Sequence, residues 1–122
     1  MTDCMSRNIF SMVQNTNTSF RVQFDVTKTP NGTLAGYTAE FLCKRTLTQT
    51  TYDIHFISGT GTSIQIANAS LGYVDVNFVA ADTVDLQSGD YFWEIRLYNV
   101  SEAMDTRSPE IIYGELFLIK AL

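Results

Sequence analysis

Few residues of this chain have side chains that could do chemistry: one histidine, two cysteines and thirteen scattered carboxylates. Nucleophilic catalysis needs a base aimed at a Ser, Thr or Cys, and no such motif surrounds His55. His55 falls between Asp53 and Ile57 on the polar side of a strand pattern, as expected of a surface histidine near an aspartate. We therefore predict no catalytic residue and no enzymatic activity.

Metal and phosphate sites are not predicted either. Cys4 and Cys43 alone cannot build a zinc site, and the sequence leaves a disulfide between them open. The Asp82-x-x-Asp85 pair lacks the further oxygen ligands of a calcium loop and fits better with Asp82 as the N-cap of a short helical turn. The glycines at 32, 36, 59 and 61 lack the strand-to-helix context of a phosphate loop and indicate hairpin turns. We expect no cofactor.

Charge and hydropathy exclude two classes of partner. Eight basic and thirteen acidic residues give a net charge of −5, and Lys44–Arg45 is the one adjacent basic pair. A nucleic-acid partner would need a basic stripe to replace the counterions of the phosphates, so none is expected. No apolar run approaches a membrane span, and residues 1–19 do not form a signal peptide. Taken as a complete chain, it would be made in a cytoplasm.

Hydrophobic residues recur with a period of two, which indicates half-buried strands. Seven main strands are predicted, with a weaker eighth at Asn8–Val13. They are Phe20–Val26, Tyr37–Lys44, Tyr52–Ile57, Ser63–Ile66, Tyr73–Phe78, Tyr91–Tyr98 and Glu110–Lys120. Residues 80–86 suggest one helical turn or a wide loop. The pattern predicts an all-β, immunoglobulin-like, two-sheet antiparallel sandwich of about 7–8 strands, preferred over a closed barrel that periodicity does not exclude. Residues 1–18 would be an N-terminal arm and residues 19–122 a single domain.

The last strand is apolar on both faces, which predicts either a central position or a covering partner. One face carries Ile112, Leu116 and Leu118, and the other carries further large apolar residues. Together with Phe92 and Tyr98 on the outward side of the preceding strand, these residues provide more apolar surface than a two-layer core can bury. Excess apolar surface of this kind marks association sites. The predicted interface residues are Phe92, Tyr98, Ile111, Tyr113, Phe117 and Ile119. We expect an oligomer or a subunit of a larger assembly.

Residues 82–97 (DTVDLQSGDYFWEIRL) and 113–119 (YGELFLI) carry a resemblance to a known group of domains. A threonine–leucine loop, a Gly-x-Tyr-x-x-x-Ile strand and a late x-Gly-x-Leu-x-Ile strand resemble small β-sandwich domains of tailed-bacteriophage virion proteins, over about residues 18–120. The resemblance implies a structural role in capsid decoration, the neck, the tail or the baseplate. It implies virion proteins as partners, a homo-oligomer or lattice-bound subunit, and synthesis in the host bacterial cytoplasm. It implies no catalytic residues. The N-terminal arm would order on a neighbouring subunit.

One alternative belongs to a different functional class. Exposed aromatic residues such as Tyr73 and Tyr98 could stack on sugars, which would make the chain a carbohydrate-binding or host-adhesion module with a glycan partner. Glycan binding by the isolated domain would favour this alternative, whereas co-assembly with capsid or tail subunits would favour the structural role.

Overall fold

The computed structural model describes residues 8–29, 32–59, 63–99 and 110–121. Within these ranges the chain forms eight strands, one 3₁₀ turn at Val26–Lys28 and one helical turn, α1, at Ala80–Thr83. The strands are β1 (Asn8–Val13), β2 (Thr18–Gln23), β3 (Tyr37–Lys44), β4 (Ile54–Ile57), β5 (Ile64–Asn68), β6 (Tyr73–Phe78), β7 (Gly89–Asn99) and β8 (Glu110–Ile119).

The strands form two sheets, one of five strands in the order β1-β8-β7-β3-β4 and one of three in the order β2-β6-β5. Aromatic rings from both sheets meet between them, as where Phe20 of β2 packs against Phe41 of β3 with ring centroids 6.1 Å apart. The expected all-β class is therefore confirmed. The last strand, β8, lies between β1 and β7. Of the two predicted alternatives, a central position or a covering partner, the structure shows the central position.

The expected antiparallel pairing is wrong for one pair of strands. β1 runs parallel to β8, from Asn8 beside Gly114 to Val13 beside Ile119. After β1 the chain turns through residues 14–17 into β2, which belongs to the other sheet. Because β1 is not joined to its neighbour by a hairpin, no short turn imposes an antiparallel direction on it. The Asn15 N–H donates to Thr83 Oγ1 at 2.9 Å and ties this turn to α1.

Two local predictions also need correction. The strand expected at Phe20–Val26 ends at Gln23, because Asp25 accepts a hydrogen bond from the Thr27 N–H at 3.0 Å and caps the 3₁₀ turn. Asp82 lies at the third position of α1 instead of the N-cap, and its carboxylate accepts a hydrogen bond from the N–H of the N-cap residue, Val79, at 2.8 Å. It still satisfies a donor at the start of the turn.

Part of the predicted N-terminal arm forms a strand of the five-stranded sheet. Residues 8–13 of that arm form β1, and Met12 on its inward side is buried in the core. The weaker strand expected at Asn8–Val13 is thus confirmed with these bounds. Residues 1–7 lie outside the described ranges.

Gly72 provides a test of this packing. Its φ is +79°, and a Cβ at this position would lie 2.1 Å from the Phe24 carbonyl oxygen. The backbone must pass this close because the Phe24 N–H donates to the Gly72 carbonyl at 2.8 Å. We expect Gly72→Ala to lower the free energy of unfolding by about 3 kcal/mol or more in urea denaturation, since backbone strain adds to a clash with main-chain atoms.

Gly59→Ala is the matched control for this substitution. Gly59 has a φ of +91°, and nothing lies within 4 Å of its added Cβ. Only the cost of the left-handed conformation applies, about 1–2 kcal/mol. Equal losses for the two variants would contradict the close approach at Gly72.

Candidate interaction surface

The six predicted interface residues all lie on one face of the five-stranded sheet. On β7, Phe92 and Tyr98 alternate with the buried residues Tyr91, Trp93, Ile95 and Leu97. On β8, the other four alternate with the inward-facing residues Ile112, Leu116 and Leu118. Successive strand residues point to opposite sides of a sheet. The six therefore point away from the three-stranded sheet, and this side is called the outer face below.

The outer-face residues differ in exposure. Tyr113 is 67% exposed, Ile119 51% and Phe92 37%. Tyr98, Ile111 and Phe117 are half-buried. Phe92 lies directly opposite Glu115, so its diagonal neighbours on β8 are Tyr113 and Phe117, within reach of aromatic side chains. The structure thus brings Phe92, Tyr113 and Phe117 together in the middle of the face.

Strand β1 adds residues that were not predicted for the interface. Ile9 and Val13 are 51% and 40% exposed and alternate with the inward Phe10 and Met12. Val13 lies opposite Ile119, so the apolar surface continues from β8 to the sheet edge. The alternation was visible in the sequence, but only the β1–β8 pairing shows that both strands contribute to one surface. At the other edge, Ile57 of β4 is 40% exposed on the same face.

A groove of about 220 Å³ crosses the outer face between β3, β7 and β8. Leu42 points outward but is only 3% exposed, so β3 is covered on both sides at this residue. Leu47, Tyr52, Phe92 and Tyr113 line the groove together with Leu42. The Lys44 ammonium lies 5.5 Å from the centroid of the Tyr52 ring. The lining is mainly apolar and aromatic, with charged groups at its margin.

Two pairs of ionisable side chains lie on the outer face. His55 Nε2 lies 2.6 Å from Glu40 Oε2, so the acidic neighbour of the histidine is Glu40 instead of the expected aspartate. Arg96 Nε donates to Glu94 Oε2 at 3.0 Å, and this hydrogen bond raises the pKa of Arg96. These pairs lie towards β3 and β4, where they leave the apolar surface of β8 and β1 undisturbed.

The opposite face of the sandwich is polar by comparison. On the solvent side of β2 and β6, Ser19 Oγ donates to Asn77 Oδ1 at 2.8 Å. Arg21 makes two hydrogen bonds to the Asp75 carboxylate, at 2.6 and 3.0 Å. Cross-strand polar pairs of this kind suit a solvated sheet face. The apolar character of the outer face is therefore a property of that face alone.

His55 and Cys43 lie in different environments. His55 is exposed, whereas Cys43 is a buried free thiol on the inward side of β3; Cys4 lies outside the described residues. Among the described ranges, no group of three or more His, Cys, Asp or Glu residues is arranged to hold a metal ion. No helix within these ranges has both the length and the apolar character to cross a membrane.

The aromatic residues of the glycan alternative lie apart from one another. Tyr73 is half-buried on β6, and the Arg21 guanidinium lies 4.8 Å from the centroid of its ring. Tyr98 is half-buried on the outer face of the other sheet. The two residues therefore do not form one stacking platform.

No protein-family model matches the chain, and a search of curated proteins finds no significant match.

The stability that the Arg21–Asp75 pair contributes should depend on pH. The hydrogen bonds from Arg21 lower the pKa of Asp75 below its usual value of about 3.9. A lowered pKa means that the stabilisation is present above the unfolded-state pKa and is lost as the pH falls through the folded-state pKa. We expect Asp75→Asn to reduce stability slightly at neutral pH, with the difference from wild type vanishing in acid, in urea titrations at several pH values. Ser19→Ala, which removes the uncharged hydrogen bond to Asn77 on the same face, is the control and should change stability equally at every pH; a difference independent of pH at position 75 would contradict the ion pair.

The buried Cys43 thiol should be unreactive in the folded protein. Burial raises the pKa of this thiol to about 12, with a smaller contribution from Asp53. Because the thiolate is the nucleophile, a Cys4→Ser variant should resist iodoacetamide at neutral pH and react rapidly once unfolded in urea. Mass spectrometry measures the modified fraction. Fast modification of the folded variant would show that β3 opens or that Cys43 is accessible.

Proposed function

We propose that this chain is a non-enzymatic structural subunit of a tailed-phage virion. In this role, its outer face binds neighbouring capsid, neck or tail proteins. The observation that carries the proposal is the asymmetry between the two solvent-facing sides of the sandwich. One side is polar and paired, whereas the other presents exposed apolar residues on β1, β7 and β8. Exposed apolar surface of this kind is typical of protein association sites.

An immunoglobulin-like topology is part of the same proposal. Three strands in the order β2-β6-β5 pack against a sheet that contains β8, β7 and β3, consistent with the B-E-D and G-F-C groups of that fold. The Tyr91 hydroxyl, at the start of β7, donates to the Gln87 carbonyl oxygen at 2.7 Å. This contact resembles the tyrosine corner of immunoglobulin-like domains. It lies within the stretch that carries the resemblance to virion domains.

The chain departs from antibody domains at the position two residues after that tyrosine. Trp93 lies there, where antibody domains have the second cysteine of their inter-sheet disulfide. Its ring packs against Phe20 of β2, with centroids 5.4 Å apart. Ring packing therefore joins the two sheets at this point. The departure affects how the sandwich is held together and leaves the outer face available for binding.

The outer face suits a protein partner better than a sugar. Its exposed residues include the branched aliphatic residues Ile9, Val13 and Ile119 beside the aromatic residues. Sugar sites rely on flat aromatic rings with polar groups around them, whereas protein interfaces combine aromatic and aliphatic surface with a polar rim. The Glu40–His55 contact and the Glu94–Arg96 ion pair lie where such a rim is expected.

Incorporation into particles tests the proposal. The substitutions Phe92→Glu and Tyr113→Glu place charges on the outer face without entering the core. Phage particles produced from a genome that encodes each variant are purified on a density gradient, and the chain is quantified by mass spectrometry. We expect at least about a tenfold loss of incorporation, since a buried unpaired charge at an interface costs more than 1.4 kcal/mol.

Val79→Glu and Leu71→Glu are matched controls, because these residues are 51% and 49% exposed and lie outside the sheet. Both should be incorporated like wild type, and all four variants should unfold cooperatively. Absence of the wild-type chain from particles would refute the virion role. Binding to a glycan array that Tyr73→Ala abolishes would favour the adhesion module instead.

A further inference from the structure

Within the described residues the two sheets have four edge strands, and three of these edges carry features that discourage pairing with another chain. β4 is only four residues long. β5 contains a register shift between Ile66 and Asn68. β2 carries the charged Arg21 among polar outward residues. Short length, bulges and charges are the usual means by which sheet edges avoid association.

β1 has none of these protections. Its sequence, NIFSMV, contains no charged residue, proline or glycine, and it pairs with β8 without a register shift over six residues. Short uncharged segments of this composition readily add strands. Because the other three edges are protected, the β1 edge is the one best suited to pair with another strand.

The direction of the β1 backbone groups shows which of them face the open edge. The Gln14 N–H donates to the Ile119 carbonyl at 2.8 Å and so points towards β8. In a parallel ladder, alternate residues direct both main-chain groups to the same neighbour. The groups of residues 10 and 12 therefore face β8 as well. Those of Ile9, Ser11 and Val13 face the open side, where Thr16 Oγ1 also donates to the Val13 carbonyl.

We propose that β1 pairs antiparallel with β1 of a second copy of this chain, with Ser11 on the two-fold axis. This register places Ile9 of one copy opposite Val13 of the other. All three edge-facing residues then lie in hydrogen-bonded pairs, each exchanging two main-chain hydrogen bonds. A shift that places Phe10 on the axis would put Val13 opposite residue 7, which lies outside the described residues. The proposal deepens the proposed function, since it names one partner of the assembly subunit.

The uncharged sequence of β1 and the continuity of the outer face favour a second copy as the occupant. The net charge of −5 makes two copies repel over most orientations, so they can meet only through an uncharged surface. β1 carries no charge, and its pairing with itself brings no like charges opposite one another. Ser11 is small and exposed on the axis, and the flanking Ile9 and Val13 pairs join the apolar outer faces of the two copies into one surface. A closed two-fold dimer also leaves β1 with no further edge.

Sedimentation equilibrium of the full chain tests the proposal over micromolar to millimolar concentrations. Wild type should reach twice the 13.7 kDa mass of one chain. Ser11→Lys should give a folded monomer, because two ammonium groups would face each other on the axis. Ser19→Lys, an equivalent change of an exposed serine on the β2 edge, is the matched control and should dimerise like wild type. Circular dichroism checks that each variant keeps its strand content.

A charge-swap experiment tests the position of the axis. Ser11→Lys mixed with Ser11→Glu should form a heterodimer that is tighter than either variant alone, because opposite charges then meet. A monomeric wild type at every concentration, a dimer that survives Ser11→Lys, an equal loss with Ser19→Lys, or no gain in the mixture would each overturn the proposal. Failure here is distinct from failure of the virion role, which the outer-face variants Phe92→Glu and Tyr113→Glu test by incorporation.

Discussion

The contact on which the sandwich depends is the packing of aromatic rings between its sheets, centred on Phe41. This side chain is fully buried, and its ring lies within 6.1 Å of the rings of Phe20, Phe56, Phe78 and Trp93. A sheet needs a second layer to bury its apolar face, and aromatic side chains supply large buried areas. The indole N–H of Trp93 finds no hydrogen-bond acceptor in the described part of the chain. Surrounding rings can offset only part of that cost, through weak N–H···π contacts.

This core determines what the outer face can be. Alternate residues of β7 and β8 point into the core between the sheets, so the intervening residues must point to solvent or to a partner. On the three-stranded sheet the equivalent positions carry polar cross-strand pairs such as Arg21–Asp75. On the five-stranded sheet they carry Phe92, Tyr113 and Ile119. Folding does not require large apolar residues at these positions, which is why association is the simplest physical reason for them.

The parts of the fold that could be predicted from the sequence are those that local alternation defines. The strand at Tyr37–Lys44 has the predicted bounds, and the six interface residues share a face because the period of two assigns them to it. The parallel direction of β1 could not be predicted, because it depends on a partner about a hundred residues away. The early end of β2 depends on a hydrogen bond from Thr27 to Asp25, which competes with strand continuation. The contribution of Ile9 and Val13 to the outer face followed only once that long-range pairing was known.

The parallel pairing of β1 with β8 also determines where the ends of the described chain lie. Asn8 is beside Gly114, in the middle of β8, and Val13 is beside Ile119 at its end, so the described chain begins part-way along β8 and ends past its last residue. The two points are separated by about the length of β1, ~17 Å at 3.3 Å per residue. The two ends of the described chain therefore lie at different places along the β1–β8 pair. A label near Asn8 and another near Ala121 would report on these two places separately.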